Sequence, residues 1–115
     1  MKIGVVKESY PGERRVALVP SLLTTLVNAK HEILIQSGAG LEAGFPDDQY
    51  VSKGAKILPS AKAVFDEAEV ILQVRSLGAN PQAGKAELSL MRSGQVIIGM
   101  HDPLSEPQAV KELAA

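Results

Sequence analysis

Short β-branched runs, each followed by a stretch carrying helix-start signals, constrain the fold of this chain more than any other feature. Ile3 to Val6, Ile33 to Ile35, Val70 to Val74 and Val96 to Ile98 read as buried strands, with a shorter one at Lys56 to Leu58. Pro20 opens the first helix, where its missing N–H costs nothing, and Leu22, Leu23, Leu26 and Val27 form one apolar stripe. Pro46 opens the second, with Asp47 and Asp48 in the first turn, where the helix dipole favours anions. Ser60 is placed to cap Ala61 to Ala68, and a fourth helix is expected over Lys85 to Met91. Ser105 and Gln108 are spaced as a capping box for a last helix. Strand and helix alternating this way predict an open, mainly parallel sheet with helices on both faces.

The 115 residues suffice for one domain with its own core, so 1–115 is read as a single unit. The last helical pattern still runs at Ala115, which leads us to expect a domain followed by something longer. With no cysteine, disulfides, thiol catalysis and thiolate metal sites are excluded, and no metal site is expected. A net charge of −1 gives no reason to expect a nucleic-acid partner. "MKIGVVKE" returns to charge too soon for a signal peptide, and no apolar run approaches the ~20 residues of a membrane span. A soluble, intracellular piece is the expectation.

Gly38, Gly40 and Gly44, following the run "HEILIQS", imitate a dinucleotide fingerprint. A true fingerprint sets its glycines at the start of a long helix, where N–H groups and dipole meet the pyrophosphate. Here Pro46 cannot lie inside a helix begun near Gly40, so the helix starts after the glycines. Asp47 and Asp48 at that start would repel a phosphate. The acidic residue expected at the end of the next strand is missing, since that strand ends "KILPS". The stretch is therefore read as a tight βα corner, and no cofactor-binding residue is assigned in this chain.

"PGERRVALVP" is more informative. Its two arginines lie just outside the carboxyl end of the first strand, where ligands of open α/β sheets bind. Arginine grips carboxylates through paired hydrogen bonds, while a solvated cluster with Glu13 is the plainer reading. Arg75 ends the strand "EVILQVR" and His101 follows "QVIIGM", so three strands each end near a basic or titratable side chain. Together they outline a site for a small anion or polar ring, although a histidine after a strand also serves purely structural ends. His31 opens a strand and is given no role.

"MKIGVVKESYPGERRVALVP", "HEILIQSGAG", "GAKI" and "AEVILQVR" resemble, in order and spacing, the N-terminal domain shared by alanine dehydrogenase and the α subunit of proton-translocating NAD(P) transhydrogenase. The resemblance covers essentially the whole chain. It implies two α/β domains of Rossmann- or flavodoxin-like type, this chain being the first and the NAD-binding fingerprint lying in the second. Arg15 matches the arginine that grips the substrate carboxylate in alanine dehydrogenases. Arg75, in "QVRSL", stands where those enzymes carry a substrate-contacting lysine. Arginine is effectively never deprotonated and does not replace a lysine that exchanges protons. His101 approximates their catalytic histidine but falls one residue early counted from Gly94, and a one-residue slip turns a side chain to the other face. Lys30 stands where the family ends its first helix with glycine.

These departures lead to a first reading as the N-terminal domain of a transhydrogenase α subunit, inactive without its cofactor domain. The implied reaction is hydride transfer between NAD(H) and NADP(H). The implied partners are the second domain of the same chain, membrane and NADP-binding subunits, and a second copy in a homodimer. The location implied is cytoplasmic, peripheral to the inner membrane. The alternative is an alanine dehydrogenase with Arg15, Arg75 and His101 around pyruvate. A third reading is a non-catalytic small-ligand-binding module.

Overall fold

A computed structural model describes residues 1–75 and 89–100. Its elements are β1 (Lys2–Val5), α1 (Leu23–Asn28), β2 (Glu32–Gln36), α2 (Asp47–Ser52), β3 (Lys56–Leu58), α3 (Ala61–Glu67), β4 (Val70–Arg75) and β5 (Val96–Met100). All five strands run parallel in the order β3-β2-β1-β4-β5. The register sets Ile3 beside both Ile33 and Val70.

Alternation along the strands divides the core into two layers, as a sheet covered on both faces requires. Ile3, Val5, Ile33, Ile35 and Val70 face one way, against Leu23 of α1 and Tyr50 of α2. Leu34 and Ile71 face the other way, against Val64 and Phe65 of α3. The parallel sheet with helices on both faces is thus the architecture observed.

The start signals divide by chemistry. Ser60 caps α3 as expected, its hydroxyl accepting the Ala63 N–H at 3.2 Å. Pro46 is the N-cap of α2, and Asp47 and Asp48 fill its first turn. Pro20 opens a 3₁₀ turn (Pro20–Leu22) ahead of α1, a departure from the helix expected there. Val19, the cap residue, has no side-chain oxygen, so the first turn tightens into an i to i+3 bond from Leu22 N–H to the Val19 carbonyl. The helix expected over Lys85 to Met91 does not continue through its described end, where Ser89 and Leu90 form a turn. That segment instead leads to Arg92, which donates to the carbonyls of Phe65 and Ala68 at 3.0 and 2.7 Å and closes the C-terminus of α3. Residues 85–88, His101 and the expected capping box of Ser105 and Gln108 lie outside the described residues.

Helices α1 and α2 end in the same motif with different residues. In each, one N–H reaches back five residues and its predecessor three: His31 to Leu26 and Lys30 to Val27, then Ala55 to Tyr50 and Gly54 to Val51. The left-handed position is Gly54 at φ 99° in α2, but Lys30 at φ 67° in α1. A side chain in this region costs about 1 kcal/mol relative to glycine. Lys30→Gly is therefore expected to raise stability by about 0.5–1 kcal/mol, less the entropy that glycine adds to the unfolded chain. A urea midpoint that falls instead would contradict this account of the cap.

Candidate functional site

In this strand order β1 and β4 are neighbours whose outgoing connections diverge, β1 towards β2 and β4 towards β5. Their carboxyl ends border the crevice where open α/β sheets bind ligands. The loop of residues 7–19, between β1 and the Pro20 turn, enters that crevice and is tied down at both ends. Glu8 accepts the backbone N–H groups of Val74 and Arg75 at 2.9 and 2.8 Å, capping the end of β4. At the far end the Tyr50 hydroxyl, deep in the core, donates to the Leu18 carbonyl at 2.8 Å. Burial and the nearby Asp47 charge push the Tyr50 hydroxyl up to about 12, so it remains a donor at any ordinary pH.

Between these ties stands Glu13, with its side chain only 5% exposed. It accepts the Arg15 backbone N–H at 3.0 Å, Arg15 Nε at 2.9 Å, Arg15 Nη2 at 2.7 Å and Arg75 Nε at 2.8 Å. The Arg75 guanidinium also lies 4.1 Å from the centroid of the Tyr10 ring. The structure thus brings Arg15 and Arg75 together through one carboxylate. Arg15 does pair with Glu13, but the carboxylate is sunk into the loop and is not part of the solvated cluster that was the plainer expectation.

Arg15 hydrogen bonding holds the Glu13 carboxyl far below the usual carboxylate range, with burial opposing and Arg75 assisting. Glu13 in turn raises the already high Arg15 value. A carboxyl depressed on folding contributes stability that is present above its ordinary value of 4.5 and is lost as pH falls. Wild-type stability is expected to drop more steeply than that of Glu13→Gln as pH falls from about 4.5 towards about 2, read as urea midpoints. Parallel curves would contradict this linkage.

The strand β4 departs from regular pairing just before Arg75. Leu72 pairs with Ile98 and Arg75 with Met100, so three steps on β4 oppose two on β5. The extra residue is a β-bulge, a device that re-aims side chains at site edges. Gly99 permits it: a Cβ there would lie 2.5 Å from the Gln73 carbonyl oxygen. Beside the bulge lies an open cleft of about 460 Å³, walled by Arg15 to Ala17, Leu72 to Val74 and Ile98 to Met100. Its apolar wall continues into Ile98 and Met100, each about half exposed.

The glycine corner has a different occupant. Asp47 accepts the Ser37 hydroxyl at 2.7 Å and the Gly38 N–H at 2.8 Å, filling the place a phosphate would take. Gly38 and Gly44 adopt φ of 80° and 90°, as a tight corner requires. A pyrophosphate does not fit there while Asp47 holds that N–H.

The sequence singles out Arg15 and Arg75 but not what joins them. Glu8, Tyr10 and the bridging role of Glu13 carried no spacing signal. Gly99 did carry one, since a glycine inside a strand often marks a bulge. Among the described residues no group of three or more His, Cys, Asp or Glu is placed to hold a metal ion. Nor is any described helix long and apolar enough to cross a membrane.

A cleft at the carboxyl ends of an open parallel sheet is the arrangement of a doubly wound α/β domain. More specifically, the chain belongs to the family described as alanine dehydrogenase/PNT, N-terminal domain, which matches residues 4–115. It is 40% identical to an alanine dehydrogenase of Methanococcus maripaludis over 98% of this chain and 29% of that protein. It is 36% identical to an NAD(P) transhydrogenase subunit alpha of Cereibacter sphaeroides over 96% of this chain and 20% of that protein. The crystal structure of transhydrogenase from Sinorhizobium meliloti superimposes with a TM-score of 0.85 at 33% identity, covering 99% of this chain and 32% of that one. The chain therefore spans about a third or less of the proteins it matches. These two relatives are oxidoreductases and stand at similar identity, as does an N(5)-(carboxyethyl)ornithine synthase of Lactococcus lactis at 38% over 90% of this chain and 30% of that protein.

Proposed function

We propose that this chain is the N-terminal domain of the α subunit of a proton-translocating NAD(P) transhydrogenase, with its cleft facing the site of hydride transfer. The observation that carries this reading is Arg75. Its Nε is hydrogen-bonded to Glu13 and its guanidinium stacks on Tyr10, at the position where the resemblance to alanine dehydrogenases puts a lysine. A guanidinium held this way is a fixed charge that exchanges no proton at physiological pH.

Hydride transfer between NAD(H) and NADP(H) needs no protein acid or base; the nicotinamides supply the chemistry, and the protein supplies orientation and electrostatics. On this reading Arg15 sets a cationic edge to the cleft, held by Glu13 together with Arg75, and Leu72 and Ile98 offer an apolar wall that excludes water. NAD(H) is held by a further domain of the same subunit and NADP(H) by a partner subunit, whose membrane part keeps the assembly at the inner membrane.

A second reading, the substrate-side domain of an alanine dehydrogenase, is favoured by one feature: Arg15 lines a cleft with room for a small carboxylate. The two are separated with the complete gene product assembled with its NADP(H)-binding partner subunit, assayed for NADH-dependent reduction of an NADP analogue and for pyruvate- and ammonia-dependent NADH oxidation. The expected result is the first activity without the second. Robust alanine formation would overturn the transhydrogenase reading.

A further inference from the structure

We infer that Glu13 is the positioning residue of the cleft, acting through Arg15 and Arg75. The inference rests on the reading of the cleft as the hydride-transfer site. The carboxylate is almost wholly buried, at 5% side-chain exposure, whereas the Arg15 side chain is 59% exposed and that of Arg75 32%. The anion is thus sunk into the loop while the cations that it holds reach outward.

Burying a charge is costly unless it is paired and hydrogen-bonded, and Glu13 meets that condition with four N–H donors. Two of them, Nε and Nη2 of Arg15, grip it as a fork, which fixes both the plane and the direction of that guanidinium. The third side-chain donor comes from Arg75, 62 residues away in sequence and just beyond the bulge in β4. Glu13 therefore sets a cleft-lining arginine relative to the end of β4, a relation that neither element fixes alone. Tyr10 braces the other side of Arg75. A flexible arginine on a surface loop samples many rotamers, and a reacting group displaced by an ångström loses much of its rate.

The test uses the complete gene product, assembled with its NADP(H)-binding partner subunit, as wild type, Glu13→Gln and Gly54→Ala. Glutamine keeps the size and one acceptor oxygen but removes the charge. Gly54→Ala is a remote control that lowers stability at the cap of α2. NADH-dependent reduction of an NADP analogue gives kcat and KM, and 15N-labelled arginine NMR reports the Nε–H signals without needing activity.

Glu13→Gln is expected to shift the Nε–H signals of Arg15 and Arg75. It should lower kcat on the order of tenfold or more, with KM for the nucleotides little changed. Gly54→Ala should lower Tm and leave turnover intact. Shifted Nε–H signals with unchanged kcat would overturn the proposal, as would an equal loss of turnover in Gly54→Ala. If Glu13→Gln does not fold, Glu13→Asp, which keeps the charge and shortens the reach, is read against the same two outcomes.

A wild-type protein that forms alanine and reduces no NADP analogue would end the transhydrogenase reading alone. The same comparison is then made on alanine formation, where lost kcat supports the role of Glu13 and unchanged kcat refutes it.

Discussion

Gly40→Ala is expected to destabilise the chain by about 2–4 kcal/mol, although glycine here adopts an ordinary backbone conformation. The reason is space. A Cβ on Gly40 would lie 2.5 Å from the Tyr50 hydroxyl, 2.7 Å from its ring and 2.8 Å from the Phe45 carbonyl oxygen. Tyr50 cannot swing aside, because it is fully buried and its hydroxyl is bound to the Leu18 carbonyl. Relieving the clash breaks that bond and strands a carbonyl, adding to the overpacking itself. The effect should also reach the cleft, since Leu18 anchors the end of the loop that carries Glu13 and Arg15. Tyr50→Phe isolates the hydrogen bond and should lose only about 1 kcal/mol. Urea denaturation of both variants checks the pair; a Gly40→Ala loss no larger than that of Tyr50→Phe would remove the steric explanation.

Gly4→Ala sets two effects of opposite sign against each other. Backbone entropy favours alanine in a strand by about 0.5–1 kcal/mol. Against it, a Cβ at Gly4 would lie 2.5 Å from Val64 Cγ1, 2.8 Å from Ala68 Cβ and 3.2 Å from Ile71 Cδ1. Two of these atoms belong to or adjoin the stiff first carbons of α3, so the helix must lift from the sheet. Overpacking of this kind costs about 1–3 kcal/mol or more, so a net loss of about 2 kcal/mol is expected. Adding Val64→Ala removes the nearest atom, and the double variant should be more stable than the sum of the single losses predicts. Strict additivity in urea titrations would contradict this packing.

How far the sequence revealed the molecule depended on the range of the interactions. The strands, Ser60 as a cap and the break at Pro46 were legible, because periodicity, a hydroxyl acceptor and a missing N–H act within a few residues. The reading of the glycine corner as a tight turn drew on Pro46, on Asp47 and Asp48 and on the missing acid after "KILPS", and Asp47 is the residue found on the Gly38 N–H. Arg15 and Arg75 were legible as candidates because both follow strand ends. Their meeting on Glu13 was not, since it depends on a loop folding back across 62 residues and on a bulge that re-aims the end of β4. The 3₁₀ turn at Pro20 and the turn at Ser89 and Leu90 were missed for a related reason. An apolar stripe marks a helix face but does not show whether its ends find caps.

On the transhydrogenase reading, Arg15, Arg75 and Glu13 act by fixed charge and orientation and exchange no proton during hydride transfer. Glu13 is ionised far below neutrality, and its carboxylate raises the already high Arg15 value further. Single-turnover hydride transfer from NADH to an NADP analogue, followed in the complete gene product assembled with its NADP(H)-binding partner subunit, tests this most directly. The predicted rate is flat between about pH 6 and about pH 9, a range that neither arginines nor a depressed carboxylate titrate in. A rate that instead rises or falls through about 6.5, the ordinary histidine value, would put a proton-exchanging group to work in the site and contradict the account.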